Sequence, residues 1–548
     1  MRKSALHKER VSYVPKLPKA LQGPVKIKEG QVMEPANDKE ELKKLFPNTY
    51  GMPLVEFVQS DKPIKKELNV GVILSGGQAP GGHNVICGLF DELKKLSADN
   101  RLYGFMMGPD GLIDHHYMEI TEDIVNEYRN TGGFDMIGSG RTKLETEEQF
   151  EKGLSIMKDL DISALVIIGG DDSNTNSAIL AEYYKKKKEN IQVIGCPKTI
   201  DGDLKNDQIE TSFGFDTATK TYAELIGNIQ RDCNSGKKYW HFIKVMGRSA
   251  SHVALECALK CQPSYCIISE EVQEKNLSLN SIVEDLCKTI AFRARKDRNY
   301  GTVIIPEGLI EFIPAIGRLI KELNELLINH GHEYRDLNSK SQRSYILDHL
   351  SDEGKSTFET LPEGVARVLA MERDPHGNVP VSGIETDRLI AEMCADKLYQ
   401  WKQEGKYFGQ FATQYHFLGY EGRCAYPSNF DANYCYALGI SAALLIAGGK
   451  TGYMAIVKNT TDKPENWIAG GVPITMMLNM EKRNGKNKPV IKKALVDLEG
   501  EPFKQFVSNR DAWSRDTCFI YPGPIQFWGP SDVCDITTHT LALEQKKK

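Results

Sequence analysis

The sequence predicts an α/β protein with two doubly wound parallel sheets that flank one cleft. From about residue 67 the chain repeats one pattern, in which a short β-branched run is followed by a glycine-rich polar turn and then by a helical periodicity. Alternating strands and helices of this kind are typical of a parallel sheet. Seven such runs exceed what one half-domain needs, so we expect two Rossmann-like domains with ligands at the carboxyl ends of their strands.

The first two repeats are the most complete. Residues 70–74 form the first apolar run and lead into the turn 75–82 and an amphipathic helix over 85–96. The second repeat has a strand over 164–168, a polar turn over 169–176 and a helix over 179–188. The five remaining strand candidates are residues 192–195, 240–245, 266–268, 301–305 and 453–457.

These patterns divide the 548-residue chain, whose length favours three to four domain-sized units. The predicted segments are an N-terminal extension over 1–66, a first α/β domain over 67–213 plus about 424–475, a second α/β domain over 214–423 with a helical insertion at about 314–376, and a C-terminal segment over 476–548 that packs on both domains. The first 24 residues are basic and contain prolines, and they predict an exposed arm.

Composition excludes several classes of protein. Apolar residues make up 41% and charged residues 26%, as in soluble globular chains, so disordered and fibrous classes are excluded. A net charge of −5 gives no broad nucleic-acid-binding surface. The most apolar stretch, residues 434–449, is too short for a membrane span and predicts a buried helix. Twelve cysteines without a C-x-x-C pair and the lack of a secretory signal predict reduced thiols in the cytoplasm.

The first glycine turn, Gly76-Gly77-Gln78-Ala79-Pro80-Gly81-Gly82, has two interpretations of similar weight. It lacks the Lys-Ser/Thr of a Walker A loop, and no G-x-G-x-x-G occurs in the chain. Its glycines allow backbone N–H groups to approach an anion, beside the N-terminus of the following helix. The alternative is a tight strand-to-helix turn without a ligand.

Carboxylates follow the next two strands. Asp171 and Asp172 together suggest a Mg²⁺ ligand, although helix N-capping is the better explanation of such a pair taken in isolation. The third turn, Pro197-Lys198-Thr199-Ile200-Asp201-Gly202-Asp203, adds a lysine, a hydroxyl and two more carboxylates at a neighbouring strand end. This set predicts phosphoryl transfer with a metal, a general base and a cation that neutralises charge.

Four other positions suit phosphate or sugar binding. Arg141 follows another glycine-rich turn and either faces transferring phosphate oxygens or lies on the surface. Arg248, in Met246-Gly247-Arg248, suits a sugar phosphate. Glu307, in Pro306-Glu307-Gly308, either accepts from sugar hydroxyls or caps a turn, and Tyr420-Glu421-Gly422-Arg423 offers a phenol and a guanidinium.

These motifs, in this order over about residues 70–457, resemble the phosphofructokinases, and in particular their long, pyrophosphate-dependent form. The resemblance implies that Asp201 is the general base for the sugar 1-hydroxyl, that Asp203 supports it, and that Asp171 binds Mg²⁺. It implies that the first domain binds the phosphoryl donor and the second fructose 6-phosphate. Gly76, Gly77, Gly81 and Lys198 then contact diphosphate, and Arg141 stabilises charge on the transferring phosphoryl group. The implied fructose 6-phosphate contacts are Thr199, Ile200, Asp201, Lys238, Tyr239, Met246, Gly247, Arg248, Glu307, Tyr420, Glu421, Gly422 and Arg423.

The donor is predicted from two positions. Relatives that use ATP usually have glycines where this chain has Asp172 and Lys198. The Asp172 carboxylate would repel and crowd a nucleotide α-phosphate, whereas the Lys198 ammonium suits the phosphate that leaves pyrophosphate. Gln78, which stands where ATP users often have aspartate, is compatible with this class. We therefore expect a reversible reaction among pyrophosphate, fructose 6-phosphate, fructose 1,6-bisphosphate and phosphate.

The resemblance also implies a homodimer, with Lys238 and Tyr239 reaching a neighbouring subunit's site, and no nucleic-acid or membrane partner. Three alternatives stand beside this prediction. An ATP-dependent phosphofructokinase is disfavoured by Asp172 and Lys198, and a non-catalytic regulatory subunit by the intact Asp171, Asp201 and Asp203. A dinucleotide-dependent dehydrogenase would need the missing glycine fingerprint.

Overall fold

The computed structural model describes residues 4–248, 250–335, 337–371, 383–483, 486–524 and 535–546. Its strands are β1 Val25–Val32, β2 Pro53–Gln59, β3 Asn69–Leu74, β4 Arg101–Phe105, β5 Tyr117–Glu119, β6 Ala164–Gly169, β7 Gln192–Thr199, β8 Phe213–Gly214, β9 Trp240–Val245, β10 Tyr265–Cys266, β11 Gly301–Pro306, β12 Thr413–Leu418, β13 Tyr453–Lys458, β14 Ile468–Pro473, β15 Leu478–Arg483 and β16 Lys486–Ile491.

Helices connect most of these strands. They are α1 Ala5–Val11, α2 Lys39–Leu45, α3 Gly82–Leu96, α4 Pro109–Ile113, α5 Glu122–Tyr128, α6 Glu147–Asp159, α7 Asp171–Lys187, α8 Phe215–Gly236, α9 His252–Cys261, α10 Ser269–Glu274, α11 Leu279–Ala294, α12 Leu309–Phe312, α13 Pro314–Arg335, α14 Ser339–His349, α15 Asp352–Thr360, α16 Glu363–Ala370, α17 Thr386–Gln403, α18 Tyr420–Arg423, α19 Asn429–Ala447, α20 Glu501–Arg515 and α21 His539–Gln545. Short 3₁₀ helices cover Lys19–Leu21, Pro464–Asn466 and Ile474–Met477.

The chain divides into two compact units. Unit 1 comprises Met1–Thr221, Tyr420–Ala494 and Ile525–Gln545, and unit 2 comprises Tyr222–Gly419, Leu495–Pro524 and Lys546–Lys548. The predicted N-terminal extension therefore lies within unit 1. The predicted C-terminal segment is shared between the units, because its hairpin β15–β16 belongs to unit 1 and α20 to unit 2.

Unit 1 contains a sheet in the order β1-β2-β14-β13-β7-β6-β3-β4-β5, with β8 paired to β7. The central strands β4, β3, β6, β7 and β13 are parallel, whereas β1, β2, β5 and β14 pair antiparallel at the edges. Strands β3 and β6 consist almost entirely of buried apolar residues, as expected when helices cover both faces of a parallel sheet. The chain runs from β3 outward to β4 and then returns to β6 on the other side, which makes the β3–β6 boundary a topological switch point.

Helices α3 and α19 pack closely in unit 1 because glycines face each other. A Cβ on Gly88 would lie 2.2 Å from the carbonyl oxygen of Tyr436, and one on Gly439 would lie 2.1 Å from that of Val85. Helix α19 is the one described helix long and apolar enough to cross a membrane, but 89% of its apolar window is buried in the protein. It is a core helix, which confirms the prediction of a buried helix at residues 434–449.

Within residues 5–11 the prediction of an exposed N-terminal arm fails for His7 and Arg10, which are buried, whereas residues 5, 6, 8 and 9 are exposed as predicted. Helix α1 is anchored by Arg10, whose side chain is only 1% exposed. Its guanidinium donates to Asn429 Oδ1 at 3.0 Å and to the carbonyl oxygen of Pro427. A buried cation needs such acceptors, and no local sequence pattern shows that residues distant in the chain supply them.

Unit 2 contains a four-stranded, fully parallel sheet in the order β10-β11-β9-β12. Its core includes Trp240, Phe242, Val303 and Ile305 from the strands. Helices α13–α16 occupy most of the predicted insertion, and residues 372–376 of that prediction lie outside the described residues. The mixed and parallel sheets of the two units confirm the predicted α/β class.

Several predicted element bounds were wrong. Helix α7 begins at Asp171 and not at residue 179, so most of the predicted polar turn forms the first helical turns. Strand β10 ends at Cys266, two residues before the predicted end. The described strands that were not predicted from the sequence are β1, β2, β4, β5, β8, β12, β14, β15 and β16. Their pairing depends on neighbouring strands more than on their own periodicity.

Candidate active site

The predicted chemical groups of unit 1 lie at the carboxyl ends of β3, β6 and β7, around the switch point. Strand β3 leads into Gly76 and Gly77, β6 into Asp171, and β7 ends with Lys198 and Thr199. The three strands pair in register, with Leu74 opposite Ile168 and Ile168 opposite Cys196. Adjacent parallel strands therefore bring the three turns to one edge of the sheet.

Cations surround the first glycine turn. Gly76 adopts a φ of +85°, and its N–H donates to the carbonyl oxygen of Gly140 at 2.8 Å. A Cβ on Gly76 would lie 3.3 Å from Lys198 Nζ. A Cβ on Gly77 would lie 2.7 Å from Arg423 Nη2 and 3.6 Å from Arg141 Nη2. The absence of side chains here leaves room beside three cations, as an anion site requires.

Gly81 has a packing role in the structure. Its φ is +111°, and a Cβ would lie 2.3 Å from the Sγ of Cys435. This position precedes the first residue of α3, so glycine is needed there for the turn and for contact with α19. The contact with diphosphate that the resemblance implies for Gly81 stays a prediction.

Arg423 is held by the residue that follows the two glycines. Its Nη2 donates to Gln78 Oε1 at 2.6 Å, and its Cζ lies 5.3 Å from the centre of the Tyr420 ring. Tyr420 is exposed, whereas Gly422 is buried. Gln78, which the sequence analysis only judged compatible with pyrophosphate, thus orients one of the three cations.

Two lysines that were not predicted from the sequence form ion pairs with the aspartates of the site. Lys143 Nζ lies 3.3 Å from Asp172 Oδ1, so the Asp172 carboxylate is ion-paired. Lys493 Nζ lies 3.8 Å from Asp171 Oδ2 and 3.9 Å from Asp203 Oδ2. Lys143 stands two residues after Arg141, and this closeness to a predicted site residue is the one feature of the sequence that points to it. Lys493 follows a hairpin without any recognisable motif.

The turn after β7 is ordered by Thr199. Its Oγ1 accepts from the N–H of Asp201 at 3.0 Å and lies 3.4 Å from Asp203 Oδ1. The predicted sugar contact of Thr199 would therefore share a hydroxyl already used within the turn. The Ile200 side chain is 5% exposed and lies against Gly214, so only its backbone is available to a ligand.

Burial shifts two ionisable groups of this turn toward neutrality. Burial lowers the pKa of the Lys198 ammonium to about 8, against the opposing effect of the Asp201 carboxylate. Burial also raises the pKa of Asp203 to about 7, and the negative charge of Asp201 acts in the same direction. Shifts of this size in neighbouring groups are typical of functional sites.

The oxygen atoms at this edge fit a magnesium ion that also binds a substrate. Asp171 Oδ2 is buried and has no hydrogen-bond partner in the described part of the chain. Among the described residues no group of three His, Cys, Asp or Glu side chains could hold a metal by itself. Mg²⁺ characteristically uses one or two carboxylates together with waters and substrate phosphates, so this arrangement suits it.

In unit 2 the predicted residues lie after β9 and β11. Glu307 Oε2 accepts from the N–H groups of Gly247 at 3.2 Å and Arg248 at 3.0 Å, while Oε1 is buried without a hydrogen-bond partner among the described residues. The carboxylate therefore caps the turn in which Arg248 has a φ of +45°. Met246 is buried, and its N–H donates to the carbonyl oxygen of Leu418 at 2.9 Å.

Lys238 and Tyr239 precede β9 and are both exposed. The Tyr239 side chain is 38% exposed, and its backbone carbonyl accepts from the N–H of Gly301 at 3.3 Å. Ser249, the residue after Arg248, lies outside the described residues. The predicted contact with a neighbouring subunit stays a prediction for both residues.

Comparison with known proteins identifies the class. The family model described as phosphofructokinase matches residues 69–446, and the chain therefore belongs to the phosphofructokinase family. A pyrophosphate–fructose 6-phosphate 1-phosphotransferase of Porphyromonas gingivalis is 61% identical over 100% of both chains. A protein of the same name from Treponema pallidum is 52% identical over 99% of this chain and 97% of its own.

A solved structure supports the fold. The pyrophosphate-dependent phosphofructokinase of Marinobacter aquaeolei superposes with a TM-score of 0.53 at 17% identity, over 83% of this chain and 93% of that one. The predicted family and fold class are thus confirmed.

Proposed function

We propose that this protein reversibly transfers a phosphoryl group from pyrophosphate to the 1-hydroxyl of fructose 6-phosphate, giving fructose 1,6-bisphosphate and phosphate. The observation that carries the proposal is the convergence of Lys198, Arg141 and Arg423 on the Gly76–Gly77 turn. Three cations on a side-chain-free turn suit a small, highly charged diphosphate. The names of the full-length relatives support the same donor and acceptor.

In the proposed reaction the sugar oxygen attacks the terminal phosphorus of pyrophosphate, and the bond from that phosphorus to the bridging oxygen breaks. Asp201 takes the proton of the sugar hydroxyl, and the electron pair of the broken bond leaves with phosphate. Thr199 Oγ1, which accepts from the Asp201 backbone, holds this segment in place. Asp203 supports the base as a neighbouring carboxyl group whose burial brings its pKa to about 7.

Positive side chains offset the charge of the transferred group. Lys198 Nζ, beside Gly76, is assigned to the leaving phosphate, and Arg141, beside Gly77, to the transferring phosphoryl oxygens. Asp171 is assigned as the protein ligand of Mg²⁺, on the basis of its buried oxygen without a hydrogen-bond partner. When bound, Mg²⁺ would neutralise phosphate oxygens and orient the donor.

The remaining contacts are proposed from the resemblance, unit by unit. In unit 1 they are the Thr199–Asp201 segment and Tyr420–Arg423. In unit 2 they are Met246, Gly247, Arg248 and Glu307, of which the Arg248 guanidinium suits a sugar phosphate and the buried Glu307 Oε1 suits a hydroxyl donor. We also propose a homodimer through Lys238 and Tyr239. The eleven described cysteines are free thiols, which supports cytoplasmic residence.

A coupled assay tests the proposal. Purified protein is given fructose 6-phosphate and Mg²⁺ with either pyrophosphate or ATP, and the reverse reaction is started from fructose 1,6-bisphosphate and phosphate. We expect turnover with pyrophosphate in both directions. Turnover with ATP alone would contradict the donor assignment, and no turnover with either donor would favour the regulatory-subunit alternative.

The Asp172→Gly variant tests donor choice. The side chain stands in the first turn of α7, and its removal takes away both bulk and the carboxylate that Lys143 pairs with. We expect the KM for ATP to fall at least tenfold, about 1.4 kcal/mol, while pyrophosphate use declines. Steady-state kinetics with both donors measure this.

The Asp172→Asn variant is the matched control, because it removes the charge and keeps the volume. A gain in ATP use with glycine but not with asparagine would show that crowding excludes the nucleotide. An Asp172→Gly variant without any gain would contradict the role given to this position.

Pyrophosphate affinity should fall as pH rises above 8. Pyrophosphate binds the protonated Lys198, and in the free enzyme burial lowers the pKa of this ammonium to about 8. Below that pH the cation is present, and above it each pH unit removes up to tenfold of affinity. Titration calorimetry between pH 7 and 9.5 measures the effect. The Lys198→Met variant supplies the baseline, since it retains the titration of pyrophosphate itself, and parallel profiles of the two proteins would contradict this linkage.

A further inference from the structure

The ammonium group of Lys493 lies between the carboxylates of Asp171 and Asp203. Its Nζ lies 3.8 Å from Asp171 Oδ2 and 3.9 Å from Asp203 Oδ2. The two separations are nearly equal, so the ammonium forms long ion pairs with both carboxylates. Asp171 Oδ2 is the buried oxygen without a hydrogen-bond partner that the proposed function assigns to Mg²⁺.

The backbone on both sides of Lys493 is fastened to the same two acidic segments. The N–H of Ile491 donates to Thr175 Oγ1 at 3.2 Å, and that hydroxyl donates to the carbonyl oxygen of Asp171 at 2.9 Å. The N–H of Ala494 donates to the carbonyl oxygen of Asp203 at 2.7 Å. These bonds fix the main chain near both carboxylates. The side chain itself is 26% exposed, so solvent reaches it.

The positive charge of Lys493 opposes the binding of a divalent cation to Asp171. A lysine ammonium and a divalent cation at the same carboxylate repel each other strongly, because at about 4 Å the interaction between like charges near a protein surface is large. The two cations therefore exclude each other at Asp171. The tethered lysine is always close to Asp171, whereas a free ion must bind from solution. The lysine is therefore favoured at this carboxylate until a bound anion adds its attraction for the metal.

We propose that Lys493 is a positioning residue that occupies the place of the divalent metal between Asp171 and Asp203 in the free enzyme, and gives it up when metal and pyrophosphate bind together. The idea rests on the proposed function, which makes Asp171 the metal ligand. It follows that metal binding without pyrophosphate is weak, and that pyrophosphate and metal favour each other's binding. Such coupling is reciprocal and can be measured from either ligand.

The test is a titration of the full chain with Mn²⁺ alone, followed by electron paramagnetic resonance of the free ion. We expect the Lys493→Met variant to bind Mn²⁺ at least tenfold more tightly than the wild type, because the competing charge is lost while the side-chain volume is kept. The Lys493→Arg variant retains the charge and should stay within threefold of the wild type. Equal or weaker Mn²⁺ binding by Lys493→Met would overturn the proposal.

Two controls separate this inference from the proposed function. Lys492→Met changes the adjacent, exposed lysine and should leave Mn²⁺ binding as in the wild type. Asp171→Asn should abolish the tight binding of the Lys493→Met background. If Lys493→Met binds Mn²⁺ tightly and Asp171→Asn does not abolish that binding, the metal assignment of the proposed function fails; if Lys493→Met binds no more tightly than the wild type, the Lys493 proposal alone fails.

A kinetic readout completes the test. In the presence of fructose 6-phosphate, the Lys493→Met variant should reach half-maximal rate at a lower Mg²⁺ concentration than the wild type, and the ratio of Mg²⁺ affinities with and without pyrophosphate should shrink. A purely structural role for Lys493 would lower stability and kcat without raising metal affinity. That pattern would contradict the proposal.

Discussion

We expect the Asp201→Asn variant to lose between about a hundredfold and ten-thousandfold of kcat. General-base catalysis contributes rate factors of this size, and asparagine keeps the shape of the side chain but accepts no proton. The N–H of residue 201 should still donate to Thr199, so the turn after β7 keeps its conformation. Steady-state kinetics with saturating pyrophosphate and fructose 6-phosphate measure the loss.

The binding of fructose 6-phosphate should change far less than kcat, because proton transfer affects the transition state more than the bound substrate. Asp207→Asn is the matched control, since Asp207 is an exposed carboxylate of the same loop. Its kcat should equal that of the wild type. Rates for Asp201→Asn near the wild-type level would remove Asp201 as the base and leave the family and fold unaffected.

The Lys198→Met variant should lose about a hundredfold to a thousandfold of kcat/KM for pyrophosphate. This is the effect of removing one preorganised group that stabilises developing negative charge. Lys198 is buried beside Gly76 and Gly170, and methionine has a similar volume without the charge. Removing one charge from a buried pair also costs stability, so the rate is measured at a temperature at which circular dichroism shows the variant folded.

Three measurements test whether the loss of activity comes from the missing charge. Circular dichroism should show an unchanged fold, and Lys186→Met, at an exposed lysine of α7, should retain full activity. Lys198→Arg should not restore activity, because the larger guanidinium does not fit beside Gly76. Even a single Cβ added to Gly76 would lie only 3.3 Å from Lys198 Nζ. An active Lys198→Met enzyme would contradict the assignment of the leaving-phosphate contact.

Site residues were best predicted where a chemically distinctive residue stands at the end of a predicted strand. Gly76, Asp171 and Lys198 each follow or end a buried, mainly apolar strand, and neighbouring parallel strands bring such positions together. Individual roles were predicted less well. Glu307 was given two interpretations, as an acceptor from sugar hydroxyls or as a turn cap. The structure shows the cap, through two backbone N–H groups, and leaves the second oxygen without a hydrogen-bond partner among the described residues.

Helix starts were hard to predict for a physical reason. Asp171 and Asp172 were placed in the polar turn 169–176, with helix N-capping as the alternative interpretation, and both lie in the first turn of α7. Acidic residues are also stabilised at a helix N-terminus by the helix dipole. Asp171 and Asp172 therefore suit both a turn and a helix N-terminus, and only the backbone conformation shows that they begin the helix.

What the sequence alone determined is the repeated strand, turn and helix, the family, and the residue types at three strand ends, because periodicity and glycine placement are local properties of the chain. What only the tertiary structure decided is the partner of each charge. Lys143 pairs with Asp172, Gln78 holds Arg423, and Lys493 lies between Asp171 and Asp203. A charge interacts with whatever folding brings within a few ångströms, and the segment that carries Lys493 lies far from Asp171 along the chain, so no local pattern could have shown that they meet.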